Sequence, residues 1–269
     1  MATASDSTFV GSIPELYDRH LGPVLFEPYA QETARRLGDL KSGALIETAA
    51  GTGVVTAALA RALPAVDILA TDLNQAMLDH AGRKPELKRV RRQQADALAL
   101  PVADSSFDAL VCQFGIMFFP DRVKGYREAH RVLKPGGRAV IAIWDSFEHN
   151  NPVARCVTEA LAKLFPADPP RFLARTPHGH SDRATIEREL EEAGFSRIAI
   201  DVVKLSCGGT HRDPAIGFCQ GSPLRAEIEA RGPGRLAEVT ETVAEAVARE
   251  FGSGPLEAPM QALMVTATK

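Results

Sequence analysis

The sequence predicts a doubly wound α/β fold, a mostly parallel sheet with helices on both faces. Three observations predict it. From residue 44 onward, short apolar β-prone runs alternate with helical stretches. The runs are near-continuously apolar, as strands buried on both faces are. A turn of small residues, Ala49-Ala50-Gly51-Thr52-Gly53, joins the first of these strands to the first of these helices.

Each element follows in order. Residues 44–48 read as a buried strand, and VVTAALARAL (54–63) as a helix closed by Pro64. VDILATD (66–72) is a second strand, with Asn74 placed to cap the helix QAMLDHAGRK. VRRQQAD (90–96) is a weaker strand, FDALVCQFG (107–115) a strong one, and GYREAHRVLK (125–134) a helix ended by Pro135-Gly136-Gly137. RAVIAIWD (138–145) is a fifth strand. Residues 181–193 form a helix capped by Ser181 or Asp182 and followed by Gly194, leading into the strand FSRIAIDVVKLS. MQALMVTAT, near the C-terminus, is the last strand. Two blocks rich in Pro, Gly and Arg, 146–180 and 207–255, read as irregular.

Composition bounds the function. With 269 residues, 45% of them hydrophobic, the chain can bury a large core without disulfides or metals. A net charge of −3 offers no general attraction to phosphate backbones or anionic membranes, so no nucleic-acid or membrane partner is expected. The basic run Arg83, Lys84, Lys88, Arg89, Arg91 and Arg92 falls at a helix end, where cations favour the helix dipole. Cys112, Cys156, Cys207 and Cys219 have neither disulfide-framework nor zinc-ligand spacing, and no metal is expected. They read as small core residues in a reducing compartment. The first twenty residues lack a basic segment followed by a long apolar run, and no stretch approaches the roughly 18 uninterrupted apolar residues of a membrane span. The expected location is cytoplasmic, and nothing here specifies an oligomeric state.

The glycine turn carries the chemistry. Gly51 and Gly53 let the backbone approach a ligand, and the helix beyond them offers unpaired N–H groups. Asp72 follows 21 residues after Gly51 at the end of the next strand, where its carboxylate can accept both hydroxyls of a ribose. This much fits a dinucleotide or another adenosine-containing cofactor. The dinucleotide fingerprint wants a third Gly or Ala, and Thr56 stands there instead. Asp96, ending the third strand, would place a carboxylate near an adenine amino group, and the small Ala97 leaves room for the ring.

With these residues in place, the sequence resembles the class I S-adenosylmethionine-dependent methyltransferases, close to the type 11 group that includes ubiquinone- and menaquinone-biosynthesis enzymes. ETAAGTG aligns with that family's glycine loop, TDLNQAML with its second-strand motif, QADALALPVADSSFDALVCQFGIMFF with its third and fourth, and RVLKPGG with the approach to its fifth. The motifs run in order over 45–145. The resemblance implies a Rossmann-like seven-stranded sheet whose last two strands pair antiparallel, within a single methyltransferase domain spanning 1–269. Its core would be 41–145, 181–206 and 256–269, carrying an interrupted, mobile cap of 1–40, 146–180 and 207–255. It implies S-adenosyl-L-methionine as cofactor and a small-molecule methyl acceptor. It assigns Gly51 and Gly53 to the methionine moiety, Asp72 to the ribose, Asp96 and Ala97 to adenine, and Gln113 and Phe114 to the floor, and it adds Ala49, Thr52, Leu73 and Met77 to the cofactor-binding residues. Tyr17, in the N-terminal segment, falls near the methionine carboxylate. Two departures stand out: Glu47 replaces the commoner Asp, and Ala49 replaces the first glycine, which requires negative φ there.

Methyl transfer from a sulfonium needs alignment and exclusion of water more than any particular side chain. His178 and His180, beside Gly179, are the candidate bases or hydrogen-bond donors to the substrate. His80 and His130, on helices, read as structural. Phe114, Met117, Phe118 and Phe119 sit where an acceptor pocket would open, and Phe165, Phe172 and Phe218 add aromatic surface to the cap. Two other readings are a nicotinamide-dependent oxidoreductase and a non-catalytic cofactor-binding regulatory module.

Overall fold

The computed structural model describes residue 6, residue 9 and residues 11–269. The other residues of the expected cap segment 1–40 lie outside the described residues. Seven strands form one sheet: β1 (Gly43–Glu47), β2 (Val66–Asp72), β3 (Arg91–Gln94), β4 (Phe107–Gln113), β5 (Leu133–Trp144), β6 (Ser196–Cys207) and β7 (Ala258–Thr268), in the order β3-β2-β1-β4-β5-β7-β6. The pairs β3–β2, β2–β1, β1–β4 and β4–β5 are parallel, and β7 runs antiparallel to both β5 and β6. The chain reverses its winding between β1 and β4, so the C-terminal ends of these strands open a crevice there.

Burial on both faces holds for the central strands: β4 exposes only a partly buried Asp108, and the second half of β5 is buried without interruption, whereas β6 at the far edge is largely exposed. The reading of β3 as weak agrees with its burial, since all four of its residues are exposed at the sheet edge. One boundary differs. The helix before β5 spans Arg122–Val132, and the Pro-Gly-Gly segment lies inside the strand rather than ending the helix. Leu133 pairs with Phe107 and Arg138 with Ala109, so residues 134–137 form a bulge, with Gly136 at φ 77°.

The larger difference concerns the two blocks expected to be irregular. They fold as helices: Phe147–Asn150, Pro152–Leu164 and Phe172–Arg175 in the first, Arg212–Cys219, Leu224–Arg231 and Leu236–Phe251 in the second. Leu236–Phe251 buries Val239, Val243 and Val247, a spacing of four that makes one apolar stripe. Pro and Gly sit between these helices and punctuate them without interrupting them.

The N-terminal helices Ile13–His20 and Glu27–Arg36 flank a turn of π-helix, Gly22–Phe26, and are tied to the core by buried polar contacts. The Tyr29 hydroxyl donates to the carbonyls of Val203 and Met260, each at 3.1 Å. Asp18 accepts from Lys84 at 2.6 Å and meets His80 at 3.2 Å, while His20 meets Asp213 at 2.9 Å. All four cysteines are free and buried. Among the described residues no helix is long and apolar enough to cross a membrane.

Candidate functional site

At the crevice, β1 ends in Glu47, which is 1% exposed and accepts a 2.6 Å hydrogen bond from Thr56 Oγ1. The position at which Thr56 departs from the dinucleotide fingerprint therefore joins the helix Val54–Ala62 to β1. Burial pushes the Glu47 carboxyl up to about 8.

The loop after β1 does not take the conformation required of it above. Ala49 has φ 52°, in the left-handed region that an L side chain enters at a cost of roughly 1–2 kcal/mol. Flanking hydrogen bonds hold it there: Thr48 N to the Val111 carbonyl and Ala50 N to the Thr71 carbonyl, both 2.9 Å. The Ala49 methyl is accommodated because residue 115 is glycine. A Cβ at Gly115 would lie 2.5 Å from that of Ala49.

Asp72, 7% exposed at the end of β2, accepts from Gly51 N through Oδ2 and from Asn74 N through Oδ1, both at 2.8 Å. Burial raises its pKa, and the hydrogen bonds from Asn74 and Gly51 oppose the rise. Asn74 Nδ2 also donates to Oδ1, at 3.5 Å, so it is Oδ2 that keeps a lone pair for a further donor. Asn74 starts the next helix without capping it. Its side-chain oxygen instead accepts from Phe9 N at 3.3 Å, tying the N-terminal segment to the site.

These residues line a cavity of about 400 Å³ at the sheet edge. Of the residues assigned from sequence it brings together Tyr17, Ala49, Gly51, Asp72, Leu73, Met77, Asp96, Ala97 and Phe114, and it adds Phe9, Asn74, Leu98 and Phe119. Gly51 is backed by Met77, whose Cε lies 3.6 Å from where a Cβ would stand. Asp96 folds one oxygen back onto Leu98 N at 2.9 Å.

Three of the assigned residues do not line this cavity. Gln113 does not face the cavity: its Oε1 accepts from Thr33 Oγ1 at 2.9 Å and its Nε2 donates to the Phe26 carbonyl at 3.1 Å, so it pins the N-terminal helices. Gly53 is glycine for packing, since a Cβ there would lie 2.6 Å from Leu87 Cδ1. Thr52 is buried beside it and does not line the cavity.

A second cavity, about 60 Å³, is lined in part by residues of the helical blocks 146–180 and 207–255. It shares Phe9, Tyr17, Phe114 and Phe118 with the first and adds Phe26, Trp144, Phe172 and Phe218, with His178. Phe165 is absent from both walls. Phe114, at φ 54°, lies flat on Trp144 with ring centroids 3.8 Å apart and planes within 3°. Tyr17 stacks on Phe26 at 4.8 Å and stands where the cavities meet; burial and the nearby Asp72 carboxylate hold its phenol well above the ordinary range.

The two candidate histidines separate. His178 lines the aromatic cavity, with Nδ1 2.8 Å from the Asp145 carbonyl, and burial pushes its imidazole down to about 4. His180 lines neither cavity. Its Nε2 lies 3.4 Å from Glu189 Oε2 without the alignment of a hydrogen bond. In the basic run, Lys84 is paired with Asp18, Arg91 with Asp67, and Arg92 donates to backbone carbonyls, so half of that charge serves folding.

Trp144 and Asn151 were missed from sequence. Trp144 ends a doubly buried strand at the crevice side, which is a usable signal; Asn151 carries none, because its role depends on the cap folding back.

The family model described as Methyltransferase domain matches residues 46–141. A demethylmenaquinone methyltransferase of Lactobacillus johnsonii is 31% identical over 180 residues, 62% of this chain and 73% of that protein. The ubiquinone/menaquinone biosynthesis C-methyltransferase UbiE of Klebsiella pneumoniae is 30% identical over 186 residues, 61% of this chain and 70% of its own. Among solved structures, phosphoethanolamine N-methyltransferase 2 of Haemonchus contortus, in complex with S-adenosyl-L-methionine, matches with a TM-score of 0.61 at 17% identity, over 95% of this chain and 56% of that one. That likeness bears on the fold.

Proposed function

The chain belongs to the class I S-adenosylmethionine-dependent methyltransferases of the ubiquinone/menaquinone-biosynthesis type, and from that premise we propose where its cofactor and its methyl acceptor lie. The larger cavity takes S-adenosyl-L-methionine. Asp72 accepts from the ribose hydroxyls, Ala95 to Leu98 flank the adenine, and the loop at Ala49 and Gly51 lies beside the methionine portion. The lone pair left on Asp72 Oδ2 and the absence of any side chain on Gly51 support this fit. Bound there, the cofactor supplies a methyl group on an activated sulfur. The chain's residues supply alignment, and the N-terminal segment excludes water over the junction.

The acceptor enters the aromatic cavity. The observation that carries this reading is the shared wall of Phe9, Tyr17, Phe114 and Phe118, which brings an acceptor within reach of the cofactor. A wall of Phe, Tyr and Trp rings suits a flat apolar acceptor, and the relatives named for demethylmenaquinone and ubiquinone biosynthesis support a quinone-type precursor. The four unpaired cysteines suit a reducing, cytoplasmic setting. Neither the nicotinamide reading nor the non-catalytic one gains an observation of its own.

Isothermal titration with S-adenosylhomocysteine tests the cofactor assignment. The wild-type protein should bind it, and Asp72→Ala should weaken binding by roughly 1–3 kcal/mol, the scale of losing a charged hydrogen-bond partner. Unchanged affinity in the variant would remove the ribose from Asp72.

A further inference from the structure

We propose that His178 selects methyl acceptors that carry a hydroxyl group, its Nε2 accepting the hydrogen bond from that hydroxyl inside the aromatic cavity. This rests on the reading of that cavity as the acceptor site. The protonation of the ring follows from its partner. Nδ1 lies 2.8 Å from the Asp145 carbonyl oxygen, which has no hydrogen to give, so Nδ1 carries the proton and Nε2 presents a bare lone pair.

The carbonyl that sets this tautomer is itself fixed. Asn151 Nδ2 donates to it at 3.0 Å and to the Gln261 carbonyl at 3.1 Å, while Asn151 Oδ1 accepts from Gln261 N at 3.1 Å. Asp145 N donates to the Gln261 carbonyl at 3.2 Å, and the Asp145 carboxylate accepts from Gln261 Nε2. The end of β5, the start of β7, Asn151 and His178 are thus tied together around one carbonyl. The ring is held beside Trp144 and Phe147, with centroids at 5.9 and 6.0 Å.

Nε2 is left without a donor. His178 is 9% exposed, and no hydrogen bond reaches Nε2 from any described residue. The other polar residues that line only this cavity are committed elsewhere. Asn151 is spent as above, Ser222 Oγ donates to the Phe218 carbonyl at 2.6 Å, and Cys207 Sγ lies 3.2 Å from the Ala258 carbonyl. Burial keeps the imidazole neutral near pH 7, so the lone pair stays available. In an apolar pocket one such acceptor discriminates strongly, because a ligand lacking a hydroxyl leaves it buried and unpaired.

The test uses the wild-type protein saturated with S-adenosylhomocysteine, titrated calorimetrically with 1-naphthol and with naphthalene, which differ by one hydroxyl. 1-Naphthol should bind about tenfold more tightly, and in His178→Phe, which keeps the ring volume, the preference should largely vanish. Trp144, the single tryptophan, reports location: its fluorescence should be quenched on binding. Binding without quenching would overturn both the cavity assignment and the role of His178. Quenching with equal affinities, or a preference that survives in His178→Phe, would overturn the role of His178 alone. On the wild type, a nitrogen-15 histidine correlation spectrum should show His178 protonated at Nδ1 and bare at Nε2; the opposite tautomer would also overturn the proposal.

Discussion

Glu47 and Asp72 are two carboxylates a few residues from the same loop, and their surroundings set them different tasks. Asp72 receives two backbone N–H groups and the Asn74 side-chain amide and lines the cavity, whereas Glu47 is sealed in with the single donor Thr56. Burial raises the Glu47 carboxyl from its usual 4.5 to about 8. The folded chain therefore holds this proton more tightly than the unfolded one. The stability from this group is complete below about 4.5, is lost as pH rises toward about 8, and is level above that. Melting temperatures of Glu47→Gln measured across this range should fall less steeply with pH than those of the wild type; parallel curves would show that Glu47 is ionised throughout. Asp72 was legible in the sequence because a strand end 21 residues after a glycine turn leaves a carboxylate few other places to be. Gln113 was not, because adjacent residues of a strand end face opposite ways and only the partners Thr33 and Phe26 decide which way the amide goes.

At the level of elements, the glycine loop and the turn after β4 form one unit. The left-handed Ala49 projects a methyl into space that Gly115 leaves free. Gly115→Ala should destabilise the protein by about 1–3 kcal/mol through overpacking, and the loss should shrink in an Ala49→Gly background. Additive losses in a denaturant double-mutant cycle would mean that the two positions are independent. The alternation of apolar strands and helices over 44–145 was readable because each strand is buried on both faces and declares itself locally. The cap helices were hidden for a related reason. Leu236–Phe251 carries its valine stripe among Glu, Thr and Arg, and the flanking glycines and prolines mask a pattern that becomes decisive only when Pro152–Leu164 and Arg212–Cys219 pack against it. The Pro-Gly-Gly segment shows the converse: a strong local stop signal became a bulge because β5 had already begun pairing with β4 at Leu133.

The whole molecule places two cavities on either side of one aromatic wall. The aromatic cavity, at about 60 Å³, is walled by helices of residues 146–180 and 207–255, and entry of a bicyclic acceptor is expected to displace them. Backbone amides of Pro152–Leu164, Phe172–Arg175 and Arg212–Cys219 should exchange with solvent faster than those of β1 and β4, and should slow when S-adenosylhomocysteine and 1-naphthol are bound together. Cap amides as protected as β4, and unaffected by ligands, would contradict this. The sequence by itself determined the doubly wound sheet, the glycine loop and the acidic residue beside it, because these depend on neighbours close along the chain or one strand away. Only the tertiary structure decided that Gln113 anchors the N-terminal helices, that His178 faces a cavity while His180 does not, and that Tyr17 stands where the two cavities meet. Those outcomes join residues from the N-terminal segment, the sheet edge and both cap blocks. Which side chain reaches the common space is set by packing among them, and no local periodicity records it.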